Sequence, residues 1–173
     1  MRDQDESEAF GGYADPRHLI IGVGEIACAE HPRVLVTQAL GSCVGLTVWD
    51  PMTRAGGIAH IMLPTAALST QHGHLERFAS TAVPMLVEQM SQRGVPKRRL
   101  LAKLAGGAAM FGSDLGLASI GQRNVAEVKT QLKSLGVPIR GDDTGGSHAR
   151  TIELHLDTGI LLVRSYVYGL HEI

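Results

Sequence analysis

The sequence predicts an α+β fold, in which a single-domain layered sandwich of mostly antiparallel strands carries two main helices. Short apolar runs rich in β-branched residues outnumber the helical patterns. Several of these runs are separated only by turn residues, which is typical of antiparallel hairpins. The chain has 173 residues, 44% of them apolar, and this suits one core of ordinary globular composition.

Strands are predicted where short, β-branched apolar runs are bounded by turn residues. Such runs lie at about 18–24, 33–37, 44–50, 57–63, 100–105, 150–156 and 160–167. Asp, Pro and two glycines separate the third run from the fourth, so we expect 44–50 and 57–63 to form a hairpin. The short Asp157-Thr158-Gly159 segment predicts a second hairpin between the last two runs.

Two amphipathic helices are predicted between these strands. Residues 73–93 carry apolar side chains at the i, i+3, i+4 and i+7 spacing that places them on one helix face. Pro84 lies inside this span and predicts a kink. Residues 122–135 show the same periodicity and are followed by Gly136, a residue type that commonly ends helices.

The N-terminus differs in composition from the rest of the chain. Residues 1–17 are rich in Asp, Glu and Gly, lack apolar periodicity and contain the helix-breaking and strand-breaking pair Asp15-Pro16. We therefore expect a flexible N-terminal tail over 1–17 and a single domain over 18–173.

Charge and hydropathy argue against several classes of partner. The formal net charge is −1 and no basic run exceeds Lys97-Arg98-Arg99, so nucleic acid is not an expected partner. No apolar run approaches the roughly 18–20 residues that span a bilayer, so membrane insertion is not expected either. The two cysteines, Cys28 and Cys43, suit a reducing compartment, which predicts cytoplasmic localisation and free thiols.

Cys43 is the strongest candidate for a nucleophile. It lies in a glycine-containing turn between two predicted strands, where a thiol can reach solvent and backbone N–H groups can point outward as an oxyanion hole. His60 lies in the next strand of the predicted hairpin, and an imidazole that accepts the thiol proton is the usual activator of cysteine. The Thr37 hydroxyl is a candidate to orient that imidazole.

Each of these residues also has an ordinary structural interpretation. A buried cysteine is more often a small hydrophobic residue than a nucleophile. His60 lies between apolar residues, where a hydrogen-bonded core histidine is common, and Thr37 is a typical strand residue. Spacing alone leaves both interpretations open.

Motifs along most of the domain resemble the chemoreceptor glutamine deamidases called CheD. The matching segments are Thr37-Gln-Ala-Leu-Gly-Ser-Cys43-Val-Gly, Trp49-Asp-Pro51, Gly56-Gly-Ile-Ala-His60-Ile-Met-Leu-Pro64, Lys103-Leu-Ala-Gly-Gly-Ala-Ala-Met-Phe111, Ile120-Gly-Gln-Arg-Asn124, and Asp142-Asp-Thr-Gly-Gly146 with Arg150. The ordered combination covers nearly all of residues 20–167, and it is far more specific than any one segment.

The resemblance implies a catalytic triad of Cys43, His60 and Thr37 that needs no cofactor or metal. The implied reaction converts glutamine side chains in the cytoplasmic helices of methyl-accepting chemotaxis receptors to glutamate, through a thioester. Ser42, Phe111 and Asn124 fall in matched segments, and we expect them to contact the substrate or a partner.

Two alternatives to the deamidase remain open. Members of the family also bind the chemotaxis phosphatase CheC, so the chain could act as an adaptor, although an adaptor has no need of a nucleophile. A receptor glutamyl methylesterase would use the same residues, because ester and amide hydrolysis pass through the same oxyanion and acyl-enzyme. A regulatory disulfide between Cys28 and Cys43 is a further hypothesis.

Two motif matches fail on their context. Residues 22–27 fit the glycine pattern of a dinucleotide site, but that pattern requires a helix after the glycines, and only four residues precede Pro32. Residues 41–45 resemble the nucleophile elbow of α/β-hydrolases, yet an elbow leads into a helix and the β-branched run after Cys43 predicts a strand.

Overall fold

The computed structural model describes residues 15–68, 73–110 and 119–173. This part of the chain contains ten strands and two α-helices. In chain order the elements are β1 (His18–Ile21), β2 (Ile26–Glu30), β3 (Val34–Leu40), β4 (Val44–Asp50), β5 (Ala55–Ile61), α1 (Ala79–Gln92), β6 (Leu101–Gly106), α2 (Ile120–Leu135), β7 (Ile139–Thr144), β8 (Arg150–His155), β9 (Leu161–Ser165) and β10 (Gly169–Glu172).

The strands form two five-stranded sheets. Sheet A has the order β1-β3-β8-β9-β10, and sheet B has the order β2-β5-β4-β6-β7. Six of the eight strand pairings in the described residues are antiparallel, while β1–β3 and β6–β7 are parallel. The predicted α+β sandwich of mostly antiparallel strands is confirmed.

Two apolar cores stack on the opposite faces of sheet B. One core lies between sheet B and the two helices, and it includes Leu46, Ile61, Leu86 and Leu132. The other lies between the two sheets, with Leu35 and Ile152 among its members. The architecture is therefore three layers, helices on sheet B on sheet A, which gives each amphipathic element an apolar surface to cover.

The predicted strands agree with the structure where the sequence is apolar. The predicted span 44–50 matches β4, and the predicted hairpin pairs β4 with β5. Strands β2, β7 and β10 lie outside the predicted runs, and all three are at sheet edges. Edge strands are commonly short and polar, and β7 reads Ile-Arg-Gly-Asp-Asp-Thr, so no apolar alternation marks it.

The first helix begins later than predicted. The expected span 73–93 is wrong over its first six residues, because His74 has a left-handed backbone (φ 63°) and Phe78 is extended. Residues Leu75–Arg77 form only a short 3-10 turn, and α1 then runs through Pro84 to Gln92.

The second helix is close to its prediction. It begins two residues earlier, at Ile120, where the Ser119 side chain accepts a hydrogen bond from the Gln122 N–H and the Gln122 side chain accepts one from the Ser119 N–H. It ends at Leu135, and Gly136 adopts the left-handed conformation (φ 71°) that stops a helix.

The predicted tail lies almost wholly outside the described residues. Residues 15–17 form a turn in which Asp15 accepts hydrogen bonds from Arg17, and β1 begins at His18. Among the helices that the structure describes, none is both long enough and apolar enough to cross a membrane.

Candidate active site

His60 and Thr37 meet between the two sheets. His60 lies in β5 and its side chain points toward sheet A, where Thr37 lies in β3. The Thr37 Oγ1 is 2.7 Å from the His60 Nδ1, and neither residue has any solvent-exposed surface. The two sheets therefore hold the imidazole and the hydroxyl rigidly in contact.

The hydrogen bonds of Thr37 determine the tautomer of His60. The Thr37 hydroxyl donates its one hydrogen to the carbonyl oxygen of Ile21, 2.7 Å away, because that carbonyl can only accept. The Thr37 oxygen must then accept from the His60 Nδ1–H. The Nε2 atom of the neutral imidazole is left with a lone pair, which is the arrangement of a general base.

Burial keeps this imidazole neutral. The pKa of His60 is lowered from 6.5 to about 4 because the charged form is disfavoured away from water. The Nε2 atom is buried and has no hydrogen-bond partner among the residues that the structure describes. An unpaired acceptor in the protein interior is costly, and such atoms are concentrated at functional sites.

Cys43 follows an irregular end of β3. Ala39 has a positive φ of 57°, and the pairing of β3 with β8 shifts between Thr37 and Leu40. This bulge turns the chain into the three-residue segment 41–43, which precedes β4. Cys43 is half-buried at the junction of this turn with β4.

The carbonyl groups of the turn all point into the protein. The oxygens of Gly41 and Cys43 accept hydrogen bonds from the N–H groups of Ala108 (2.8 Å) and Gly107 (2.7 Å). The oxygen of Ser42 accepts from the side chain of Asn124 (3.0 Å). Since the N–H of each peptide points opposite to its C=O, the N–H groups of Ser42 and Cys43 point away from these partners.

Glycines in the 106–108 segment permit this close contact. Gly106 has a φ of +100°, and a Cβ atom there would lie 2.3 Å from the Cys43 oxygen. Gly121, at the start of α2, is similarly close to the Ala108 oxygen, because a Cβ atom at Gly121 would lie 2.4 Å from it. The glycine-rich segment can therefore pack directly against the backbone of residues 41–43 and hold it by hydrogen bonds.

Asn124 joins the two halves of the site. Its Nδ2 donates to the Ser42 oxygen, next to Cys43, and to the Met62 oxygen, two residues beyond His60, at 3.0 and 2.8 Å. The side chain is fully buried, so Asn124 contacts the framework of the site in this structure rather than an open surface. The sequence did not predict these two buried hydrogen bonds of Asn124, because no local pattern indicates which backbone carbonyls a side-chain amide will contact.

The register of β4 and β5 places Cys43 diagonally across from His60. Gly45 lies directly opposite His60, and Cys43 lies two residues before Gly45, on the same face of sheet B. Such diagonal neighbours are about 7–8 Å apart at Cα, within reach of longer side chains. Among the described residues, no hydrogen bond joins the Cys43 sulfur to the His60 Nε2.

Cys43 is a thiol rather than a thiolate at neutral pH. Burial raises its pKa above the ordinary value of 9.0, and its own backbone N–H offsets this only in part. Because the pKa of His60 is lowered at the same time, the resting pair is neutral. A nucleophilic attack by Cys43 would therefore have to be accompanied by proton transfer.

The other candidate residues lie in different surroundings. Ser42 is half-buried in the turn, while Phe111 lies outside the described residues.

The hypothetical disulfide between Cys28 and Cys43 is not formed, and both thiols are free. Cys28 packs on the helix side of sheet B and Cys43 on the side that faces sheet A, so the sheet separates the two cysteines. Over the described ranges, no group of three or more His, Cys, Asp or Glu side chains could hold a metal ion.

Both rejected motifs have the local structure that their context predicted. Strand β2 begins at Ile26, so the glycines at 22–24 lead into a strand rather than a helix. Strand β4 begins at Val44, immediately after Cys43, which excludes a nucleophile elbow.

A family model and the sequences of known proteins point to the same family. A family model described as CheD chemotactic sensory transduction matches residues 62–165. A probable chemoreceptor glutamine deamidase CheD from Caldanaerobacter subterraneus subsp. tengcongensis is 40% identical over 157 residues, which covers 90% of this chain and 97% of that protein. The chemoreceptor glutamine deamidase CheD of Thermotoga maritima is 46% identical over 145 residues, covering 84% and 90%. The chain belongs to the CheD family, a family of chemoreceptor glutamine deamidases.

Proposed function

We propose that this chain is a cytoplasmic, cysteine-dependent deamidase that converts glutamine side chains of chemoreceptors to glutamate. The names of its relatives supply the reaction and the class of substrate. The single observation that carries the chemistry is the Thr37–His60 hydrogen bond, because it leaves the lone pair of His60 Nε2 available on the strand whose register places His60 diagonally across from Cys43. The substrate segment would lie in the cytoplasmic helices of the receptor.

The first half of the reaction forms a thioester and releases ammonia. His60 Nε2 takes the proton of the Cys43 thiol as the sulfur attacks the carboxamide carbon of glutamine. The resulting oxyanion is held by backbone N–H groups. The His60 imidazolium then gives its proton to the departing nitrogen, the carbon–nitrogen bond breaks, and ammonia leaves.

The second half regenerates the enzyme. His60 Nε2 accepts a proton from water, the hydroxide attacks the thioester carbon, and a second oxyanion forms at the same place. Its collapse breaks the carbon–sulfur bond and leaves a glutamate side chain, and the proton on His60 returns to the Cys43 sulfur. The net reaction consumes one water and releases one ammonia.

The N–H groups of Ser42 and Cys43 are the donors that we assign to the oxyanion. Their peptide planes are fixed by the inward hydrogen bonds of the Gly41 and Ser42 carbonyls. Neither N–H has a hydrogen-bond partner in another of the residues that the structure describes. A preorganised pair of this kind stabilises charge in the transition state without reorganisation.

Thr37 is a positioning residue in this scheme. It touches neither substrate nor sulfur, and it holds the imidazole through a neutral hydroxyl rather than a carboxylate. A neutral orienting group adds no charge to stabilise the imidazolium, which is consistent with the lowered pKa of His60.

The test compares the chain with its Cys43→Ala variant on a chemoreceptor cytoplasmic fragment. Mass spectrometry of peptides detects glutamine-to-glutamate conversion, and Cys28→Ala is the matched control because Cys28 lies on the other face of sheet B. The proposal requires conversion by wild type and Cys28→Ala and none by Cys43→Ala. If wild type converts no glutamine but binds the phosphatase CheC, the adaptor alternative replaces the deamidase.

A further inference from the structure

Large apolar side chains reach solvent at the turn between β9 and β10. Tyr166, Val167 and Tyr168 are consecutive in this turn and are 105%, 61% and 69% exposed. We call residues 166–168 the aromatic tip. Contiguous exposed apolar surface on a folded protein commonly marks an interaction site.

The aromatic tip lies at the same end of the sandwich as Cys43. Strand β8 begins opposite the end of β3, where Arg150 pairs with Leu40, and β9 ends beside the start of β8. The turn after β9 therefore lies at the same end of the strands of sheet A as residues 41–43, which follow β3.

A chain of contacts joins the aromatic tip to the turn that carries Cys43. The Tyr168 ring packs edge-on against the His148 ring, with centroids 4.9 Å apart. Two residues before His148, the Gly146 oxygen accepts a hydrogen bond from Ala109 (2.9 Å). The next residue, Met110, is 41% exposed and lies against Gly41, two residues before Cys43.

Hydrogen bonds hold the backbone of the aromatic tip in spite of its exposure. The Tyr168 N–H donates to the Ser165 Oγ (3.0 Å), and Ser165 pairs with Gly169 across the turn. Gly169 supplies the positive φ (69°) that closes the turn. The Tyr166 ring is thus presented on a fixed backbone, which lowers the entropy that a partner must remove on binding.

We propose that the aromatic tip, together with Met110, docks the chemoreceptor segment that carries the target glutamine. This inference rests on the proposed function. A glutamine side chain is short, so a protein substrate that reaches Cys43 must lie against the surface around residues 41–43. Neighbouring side chains of the same segment then cover Met110 and the tip.

The side chains of the aromatic tip indicate which kind of receptor segment it would bind. Residues 165–170 contain no charged side chain, and they present two tyrosine rings with Val167 and Leu170 exposed beside them. Tyrosine is enriched among the residues that dominate binding energy at interfaces. The partner segment must therefore offer apolar side chains beside its glutamine.

Direct binding is the first test of the docking surface. Calorimetric titration with a chemoreceptor cytoplasmic fragment uses the Cys43→Ala background, so that bound substrate is not consumed. Tyr166→Ser is expected to raise Kd about tenfold, as loss of an interface tyrosine commonly does. Met52→Ser is the matched control, since Met52 is 74% exposed at the opposite end of β4 and should leave Kd unchanged.

Kinetics on the active protein separate docking from chemistry. Tyr166→Ser is expected to raise KM about tenfold and to keep kcat within about twofold, because the ring contributes binding and no proton transfer. Unchanged Kd and KM in this variant, with a wild type that deamidates, would overturn the docking surface and leave the proposed function intact. Weakened binding by Tyr166→Ser to a receptor that wild type does not deamidate would support docking and overturn the deamidase.

Discussion

Gly45 lies directly opposite His60 in the β4–β5 ladder, so the position beside the proposed base carries no side chain. A Cβ at Gly45 would lie 2.5 Å from the Ile152 Cδ1 and 2.8 Å from the Leu40 Cδ1, both in the buried core between the sheets. The absence of a side chain at Gly45 therefore serves the packing between the two sheets.

Gly45→Ala tests this relationship. We expect the free energy of unfolding to fall by about 1–3 kcal/mol, the usual cost of overpacking a well-filled core. Urea denaturation measures it, and Gly73→Ala is a suitable control because no atom of the described residues lies within 4 Å of its Cβ position. An unchanged midpoint would show that the core has more room than the structure indicates.

Thr37→Val should lower kcat strongly while the protein still folds. The variant keeps the shape of the side chain but leaves the His60 Nδ1–H without its acceptor, so the imidazole loses its fixed tautomer. We expect kcat to fall between roughly 10²- and 10⁴-fold, the range that general acid–base catalysis contributes. Thr37→Ser retains the hydroxyl and is the rescue variant; a Val variant as active as the Ser variant would remove Thr37 from the mechanism.

The pH profile of kcat/KM should extend to unusually acidic values. Because the pKa of His60 is lowered to about 4 by burial, Nε2 stays unprotonated down to that pH and remains able to accept the thiol proton. Activity is then lost as the pH falls through about 4, where the base becomes protonated. An acidic limb at 6.5, the ordinary histidine value, would contradict a buried neutral base.

Alkylation of Cys43 should be slow at neutral pH in the free protein. Its pKa is raised by burial above 9.0, so the thiolate that reacts with iodoacetamide accumulates only above that pH. Peptide mass spectrometry on a Cys28→Ala background follows the rate as a function of pH. A fast reaction at neutral pH would indicate a preformed thiolate–imidazolium pair instead.

Asn124→Ala should disturb both stability and catalysis. It removes the donors to the carbonyls of Ser42 and Met62, and leaving a buried acceptor unpaired costs about 1–3 kcal/mol for each group. Because the Ser42 carbonyl also orients the N–H of Cys43, we expect kcat to fall while KM changes little. Asn124→Ala with a wild-type kcat in the temperature range where it is folded would reduce Asn124 to a purely structural residue.

The sequence predicted the interior of the fold better than its edges. The apolar run 44–50 marks a central strand, whereas β7 and β10 are polar edge strands that pair through their backbones. Pairing of β1 with β3 and of β6 with β7 in parallel depends on long-range packing that local periodicity does not encode.

Only part of the candidate site could be predicted from the sequence. Hairpin spacing placed Cys43 at the start of one strand and His60 in its partner strand. The Thr37 hydroxyl was a candidate to orient the imidazole, and the family resemblance made it the third member of the triad. The Ile21 carbonyl, which determines the tautomer through Thr37, is a backbone group and offers no side-chain signal. The connection of Asn124 to both halves of the site likewise depends on how α2 packs across the turn.

A covalent thioester between Cys43 and the receptor glutamine is the intermediate that the proposed mechanism requires. Acid quenching of the chain with a chemoreceptor cytoplasmic fragment, followed by intact-mass spectrometry and peptide mapping, tests it most directly. The mechanism predicts a covalent adduct at Cys43 that disappears on addition of hydroxylamine and is absent in Cys43→Ala. Conversion of glutamine to glutamate by Cys43→Ala at the wild-type rate, with no adduct in either protein, would contradict it.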